Sequence, residues 1–367
     1  MKKSVLLPVL TVTFSSLLIF SGTPSFGGDD KSQSSDKTQQ SSKAKNGEKS
    51  DDQELSSTYD SRYWGTPKKD ISNGSDQQEY DRAQSVIPGI EVAKTEVFAT
   101  FPGRNAVTLA PFGTGNLLNH GGAVLSEVHI YPIFWGATTT GFSAAYKSSI
   151  TNFFTAIQCG AGTPTASCTG HSGALKEYFS SNGTVAPIIK YVTSYTDTTN
   201  PPSSSPSTAS IVAETAKVVK ANIGINGGKI DPLGLYLVFT NNYPSRVNFC
   251  AWHSAGSYKP TSTSAATWFT VAYMPYVGTS PGCSSASIPG FTAFKTSQAV
   301  DSVINVTTHE LYEVMTDPLL NNRYAWYDIA GYENGDKCAW NYGSTINGYR
   351  VQSEYVNSSR SCPDLTS

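Results

Sequence analysis

The segment Thr307-Thr308-His309-Glu310-Leu311-Tyr312-Glu313 carries the residue types and spacing that point most directly to chemistry. His309 and Glu313 are four residues apart, so on a helix they project from one face. Two ligands at that spacing, with a glutamate directly after the first, is the arrangement by which H-E-x-x-H helices hold zinc and activate water. Here Glu313 stands where the second histidine would be, and carboxylate is itself a zinc ligand. On this reading His309 and Glu313 bind a metal and Glu310 is the general base. Acidic residues follow at Asp317, Asp328, Glu333 and Asp336. Residues 326–338 would return a further ligand to the helix, with Glu333 and Asp336 the preferred pair and Cys338, if bonded, pinning the loop. Tyr312 or Tyr327 would assist a developing oxyanion. Zinc is the expected metal; calcium is the alternative, since clustered carboxylates also suit a hard cation. The competing reading is structural: His309 hydrogen-bonds within the fold, and the carboxylates are solvated or paired with Arg323 and Lys337.

The remaining histidines carry weaker signals. His253 lies in Phe249-Cys250-Ala251-Trp252-His253, beside a cysteine expected to be bonded, where it either approaches the same site or is polar surface. His129 reads as a satisfied residue of a strand, and His120 and His171 lie in glycine-containing loops. The chain has no Walker or dinucleotide-binding loop.

The elements that must position these residues alternate. Residues 124–135 (VLSEVHIYPIFW) are β-rich and read as a strand. Phe142, Tyr146, Ile150, Phe153, Phe154 and Ile157 recur at helical spacing, which predicts an amphipathic helix over 142–158. Residues 187–195 read as a strand, and the proline- and serine-rich stretch from Asn200 as a loop. Ile211, Val212, Ala216, Val218, Val219 and Ile223 form a second helical stripe. Residues 234–240 (GLYLVFT) and 267–277 (TWFTVAYMPYV) read as strands. The helix bearing His309 runs from Ser297 to about Thr316 and stops at Asp317-Pro318, because a proline disfavours helix at the residue before it. This order predicts an α/β fold, a disulfide-bonded three-layer domain with a mixed central sheet, zincin-like if the helix holds a metal.

The amino terminus predicts export. Lys2 and Lys3 precede a largely apolar run, residues 5–20, followed by small residues up to Gly28. That is the layout of a signal peptide, taken as 1–27. Residues 28–95 are expected to be a disordered polar spacer, because residues 28–57 offer almost nothing apolar to offset their conformational entropy. The α/β domain is placed at 96–367. Six cysteines, all beyond the spacer, favour three disulfides in an exported chain. Cys159 with Cys168, Cys250 with Cys283 and Cys338 with Cys362 is the simplest pairing, although spacing alone does not choose it. A net charge of −2 gives no reason to expect nucleic acid, and no segment after the signal suits a membrane.

Several separated motifs occur in a fixed order: Gly121-Gly122-Ala123-Val124-Leu125, Ile130-Tyr131-Pro132-Ile133-Phe134-Trp135-Gly136, Gly234-Leu235-Tyr236-Leu237-Val238, Phe249-Cys250 with Trp252-His253, His309 to Glu313 through Asp317-Pro318, Ala325-Trp326-Tyr327, and Glu333-Asn334-Gly335-Asp336-Lys337-Cys338. Together they resemble the EXORDIUM, or phosphate-responsive, family of secreted proteins, from about Gly121 to the carboxyl terminus. The resemblance implies a secreted, extracellular or cell-wall-associated protein. It also sets His309, Glu310, Glu313, Glu333 and Asp336 on the family's own motif positions. In plants the family is linked to growth and cell expansion, and it has bacterial relatives, which the Lys-Lys signal suits. The chain departs from the plant pattern in its polar spacer, in the additional residues 320–324, and in a glycine-rich tract reduced to Asn341-Tyr342-Gly343-Ser344.

Two functions are therefore expected to compete. One is a secreted zincin-like metallohydrolase acting on a peptide. The other is a non-enzymatic module that binds a cell-wall or surface polymer through exposed Trp and Tyr, with a structural metal or none.

Overall fold

The computed structural model describes residues 115–366 with short interruptions, the longest being 161–167, 286–294 and 320–324, together with the backbone of 90–92 and 99–102. The expected signal peptide, most of the spacer, Arg323 and the additional residues 320–324 lie outside the described residues.

The main sheet has eight strands. Its central strand is β4 (Glu127–Trp135), which pairs in parallel with β7 (Gly234–Thr240) on one side and with β5 (Ile188–Tyr191) and β6 (Tyr195–Asp197) on the other. The stretch 187–195 is thus broken into two strands along one edge of β4. Beyond β7 comes β9 (Thr267–Met274), also parallel, and then β8 (Phe249–Tyr258), which runs antiparallel to β9. The strands β1 (Ile90–Val92) and β2 (Ala99–Pro102) pair antiparallel with the far side of β8. The sheet therefore begins ahead of the boundary placed at residue 96, with a segment whose β-branched ends suit a strand. The two-stranded pairs are β3 (Leu118–Asn119) with β10 (Trp326–Tyr327) and β11 (Ser344–Ile346) with β12 (Tyr349–Val351).

Side-chain alternation assigns each strand to two layers. From β4, Val128, Ile130 and Phe134 enter one core while Tyr131, Ile133 and Trp135 enter the other. From β7, Leu235, Leu237 and Phe239 join the first and Tyr236 and Val238 the second. The first core is covered by α1 (Ala144–Ile157) and by the long helix α4 (Gln298–Thr316); the second is covered by α3 (Thr208–Ala221). The short helix α2 (Lys176–Phe179) lies between α1 and β5 in the chain. This is the three-layer α/β arrangement with a mixed sheet that the element order predicts. Both covering helices α1 and α3 begin with serine caps: Ser143 accepts from the Tyr146 amide and Ser207 from the Ser210 amide.

Two disulfides form, Cys250 to Cys283 and Cys338 to Cys362. The expected third does not. Cys159 and Cys168 are buried thiols in the first core, and Cys159 Sγ donates to the Pro187 carbonyl at 3.1 Å. Cys159 is turned toward the strand edge by the reciprocal backbone hydrogen bonds it makes with Ile189. Among the described residues no helix is long and apolar enough to cross a membrane.

Candidate metal centre

Helix α4 is fixed at both ends by its sequence. Ser297 caps it by accepting from the Val300 amide, and Asp301 in the first turn complements the helix dipole. It ends at Asp317, whose amide donates to the Glu313 carbonyl just before Pro318. Residues Val300 to Thr316 are all buried. A helix buried all round must satisfy its polar groups internally. Thr307, Thr308 and Thr316 do so by donating to the carbonyls of Val303, Ile304 and Tyr312. His309, Glu310 and Glu313 instead meet side chains delivered by three other segments.

The first is β8. Ala251 faces the core under α4 and Trp252 faces the opposite core, so the alternation turns His253 toward α4. Its Nδ1 lies 3.0 Å from Glu310 Oε2 and 3.7 Å from Glu313 Oε2, and its Nε2 lies 3.9 Å from Glu333 Oε1. The second is the turn over 333–338, anchored by the Cys338–Cys362 disulfide. Its Asp336 amide donates to Glu313 Oε1 at 3.1 Å, and Asp336 Oδ1 lies 3.9 Å from His309 Nε2. The third is the stretch after β12. Gln352 contacts His309 Nδ1 through its side-chain amide, at 3.1 Å from Nε2 and 3.4 Å from Oε1, while that Nε2 donates to the Gly335 carbonyl at 2.8 Å. On the helix itself, His309 Nε2 is 3.0 Å from Glu313 Oε1.

The structure thus brings together all five residues singled out from the sequence: His309, Glu310, Glu313, Glu333 and Asp336. Two sets, His253 with Glu313 and Glu333, and His309 with Glu310 and Glu313, have ligand atoms all within 4.8 Å of one another. Buried His and Glu groups with this spacing can hold a metal ion. Asp328 is not among them: it takes the Lys337 ammonium at 2.7 Å, so that lysine is spent away from Glu333 and Asp336. Tyr312 is also committed elsewhere, its hydroxyl 2.7 Å from Ser172 Oγ, and the Tyr327 ring stacks on His120 with centroids 3.6 Å apart.

Sequence reasoning missed Gln352, Glu354 and His171. Glu354 is fully buried beside the cluster, and His171 Nε2 is 2.7 Å from the Gln352 carbonyl. None belongs to a recognisable spacing; each arrives through the β11–β12 hairpin or a loop. His253 carried a faint signal in its place beside Cys250, a cysteine expected to be bonded.

Electrostatically the centre is unusual for a protein interior. Burial, reinforced by the neighbouring carboxylates, pushes Glu313, Glu333, Asp336 and Glu354 well above the ordinary carboxylate range, and burial does the same to Asp317. Burial lowers His309 and takes His253 down to about 4, so both rings are neutral at pH 7. A neutral imidazole is the form that ligates a metal. Among the described residues, Glu313 Oε2, Asp317 Oδ2, Glu333 Oε1 and both carboxylate oxygens of Glu354 are buried with no hydrogen-bond partner. Dry acceptors in this number are costly unless a cation or protons meet them. The chain matches no known family model, no curated protein and no solved structure.

Proposed function

We propose that this protein is a secreted, zincin-like metal-dependent hydrolase acting on peptide bonds, and a bacterial-type relative of the EXORDIUM proteins. The observation that carries the reading is the gathering in one buried cluster of two ligand sets that share Glu313, His253 with Glu333 and His309 with Glu310, with Asp336 of the returning turn beside His309. Two imidazoles mixed with carboxylates suit zinc. Calcium, which takes six to eight oxygens as a rule, suits the set less well. A bound divalent ion supplies Lewis acidity, polarising the scissile carbonyl and the attacking water. Every other role falls to the chain. His253, His309, Glu313, Glu333 and Asp336 would hold the metal, Gln352 would orient the His309 ring through Nδ1, and Glu310 would serve as the general base.

A second reading has its own observation. Glu310 is fully buried with its carboxylate against His253, an arrangement that also suits a sealed structural ion in a non-enzymatic cell-wall or surface binding protein. Recognition of a polymer by exposed aromatic rings has less support: among the described side chains every Trp and Tyr is buried or half-buried. The two readings part on elemental analysis of the purified full chain together with a broad peptide-hydrolysis screen before and after chelation. Stoichiometric zinc with chelator-sensitive cleavage supports the hydrolase. Stoichiometric metal without cleavage of any peptide supports the binding protein.

A further inference from the structure

We infer that the centre is built for two divalent cations bridged by the Glu313 carboxylate. The inference rests on the metal-binding part of the proposed function and is independent of whether the protein is catalytic. Glu313 is the one residue common to both ligand sets. Its two oxygens meet different imidazoles. Oε1 is 3.0 Å from His309 Nε2 and accepts the Asp336 amide, while Oε2 is turned to the other imidazole, 3.7 Å from His253 Nδ1. One carboxylate presenting one oxygen to each of two histidines is the geometry of a bridging ligand. Two-metal hydrolytic sites keep their ions about 3.5–4 Å apart, a separation that one carboxylate spans.

Each side of the bridge has its own remaining ligands. The first subsite has His253 and Glu333, which together with Glu313 form one ligand set, one atom from each lying within 4.8 Å of the others. The second has His309 and Glu310, the other members of Glu313's second ligand set, with Asp336 Oδ1 3.9 Å from His309 Nε2. Glu310, with Oε2 3.0 Å from His253 Nδ1, stands at the junction. Independent of this symmetry, Glu313 Oε2 and Glu333 Oε1 are buried acceptors with no hydrogen-bond partner, both on the His253 side. A single ion held by His309, Glu313 and Asp336 would leave these two atoms unmet.

Charge points the same way. Glu310, Glu313, Asp317, Glu333, Asp336 and Glu354 are all buried. Among the described residues no lysine or arginine is paired with Glu313, Asp317, Glu333, Asp336 or Glu354; the buried Lys337 is bound to Asp328. Where metal displaces the protons these carboxyls otherwise hold, one divalent ion leaves most of the resulting negative charge uncompensated in a dry interior; two offset the greater part of it.

The test is zinc stoichiometry on the full chain, by equilibrium dialysis followed by elemental analysis. Wild type is expected to bind two equivalents, His253→Ala and His309→Ala one each, and Glu313→Ala to weaken both sites more than tenfold. Far-UV circular dichroism identifies any variant that fails to fold. The wild type alone gives a second measurement: loaded with manganese(II), two ions on one carboxylate give an exchange-coupled paramagnetic spectrum, and isolated ions do not. Saturation of the wild type at one equivalent, or an uncoupled manganese spectrum, overturns the inference. Two bound ions with no hydrolysis keep the inference and remove the hydrolase reading; one bound ion with hydrolysis does the reverse.

Discussion

Gly335 lies against the imidazole of His309: a Cβ on Gly335 would stand 2.7 Å from Nδ1 and 3.0 Å from Cε1 and Cγ. Its backbone is ordinary helical, at φ −67 and ψ −38, so nothing in the main chain requires glycine there. The requirement is the close approach of the turn to the ring, and it is the same turn whose Asp336 amide reaches Glu313. Gly335→Ala must therefore push either the ring or the turn aside. We expect the variant to fold, with a loss of about 1–3 kcal/mol from overpacking, and to bind zinc about 10–100-fold more weakly, as disturbed supporting contacts do at metal sites. Zinc titration against a chromophoric competitor, with thermal unfolding in parallel, checks both. Unchanged zinc affinity would mean that the ring does not serve as a ligand from this position.

Much of this centre was legible because one helix carries a readable spacing. His309, Glu310 and Glu313 need only the 3.6-residue period to share a face, and Ser297 and Asp317-Pro318 mark the helix ends. Glu333 and Asp336 were reachable because they precede a cysteine that ties their turn. The eight-stranded sheet was legible in its fully apolar members, such as residues 234–240. It was not legible at β8, where Phe249-Cys250-Ala251-Trp252-His253-Ser254 mixes polar and apolar types because both faces are buried, one against the second core and the other against the first core and the polar cluster beside it. Missing that strand left His253 without a direction. Gln352 and Glu354 were invisible for a different reason: their place is set by the register of a two-stranded hairpin far along the chain, which no local period encodes.

The disulfides yield a prediction in two parts. Denatured, unreduced protein should titrate two thiols, on Cys159 and Cys168, and proteolytic mapping should recover the Cys250–Cys283 and Cys338–Cys362 pairs. No titratable thiol at all would restore the third bridge. The Cys338–Cys362 link closes a loop with a sequence separation of 24 residues, and chain entropy values such a closure at about 3 kcal/mol. It also pins the turn bearing Glu333 and Asp336. Replacing both cysteines by serine should lower stability by about that amount and weaken zinc binding together, whereas the same change at Cys250 and Cys283 should lower stability with a smaller effect on zinc.

On the opposite face of the sheet, Glu214 of α3 is buried beside Asp197 of β6, and Lys217 reaches both. Burial and the adjacent Asp197 carboxylate raise Glu214 to about 8, against 4.5 in the unfolded chain. The folded protein therefore holds this proton more tightly than the unfolded one. The associated stability is complete below about pH 4.5 and is lost as pH rises to about 8, each pH unit across that window being worth about 1.4 kcal/mol at most. Glu214→Gln is neutral at every pH and should remove this slope. Denaturant unfolding at pH 5 and pH 8.5 checks it: the variant should gain on the wild type at the higher pH. Parallel profiles would show that Lys217 keeps Glu214 ionised throughout.

Glu310 separates a catalytic centre from a structural one, because ligands and a general base do different work. His309 supplies a bond to the ion, so His309→Ala should lower zinc content. Glu310→Gln keeps the size of the side chain and an oxygen for the contact with His253, which lies 3.0 Å away, but removes the group that accepts a proton. If the protein is a hydrolase, Glu310→Gln should retain its zinc and its thermal midpoint and lose about 10²–10⁴-fold in kcat, the usual worth of general acid–base catalysis, with KM little changed. Metal content, unfolding and kinetics on the same preparation of each variant give the comparison. Loss of zinc from Glu310→Gln in step with activity would make Glu310 a ligand and take the proton-transfer role away from it. Full activity with full zinc would exclude Glu310 from the reaction altogether, and the base would then have to be sought among Glu333, Asp317 and Glu354, buried carboxylates close to Glu313.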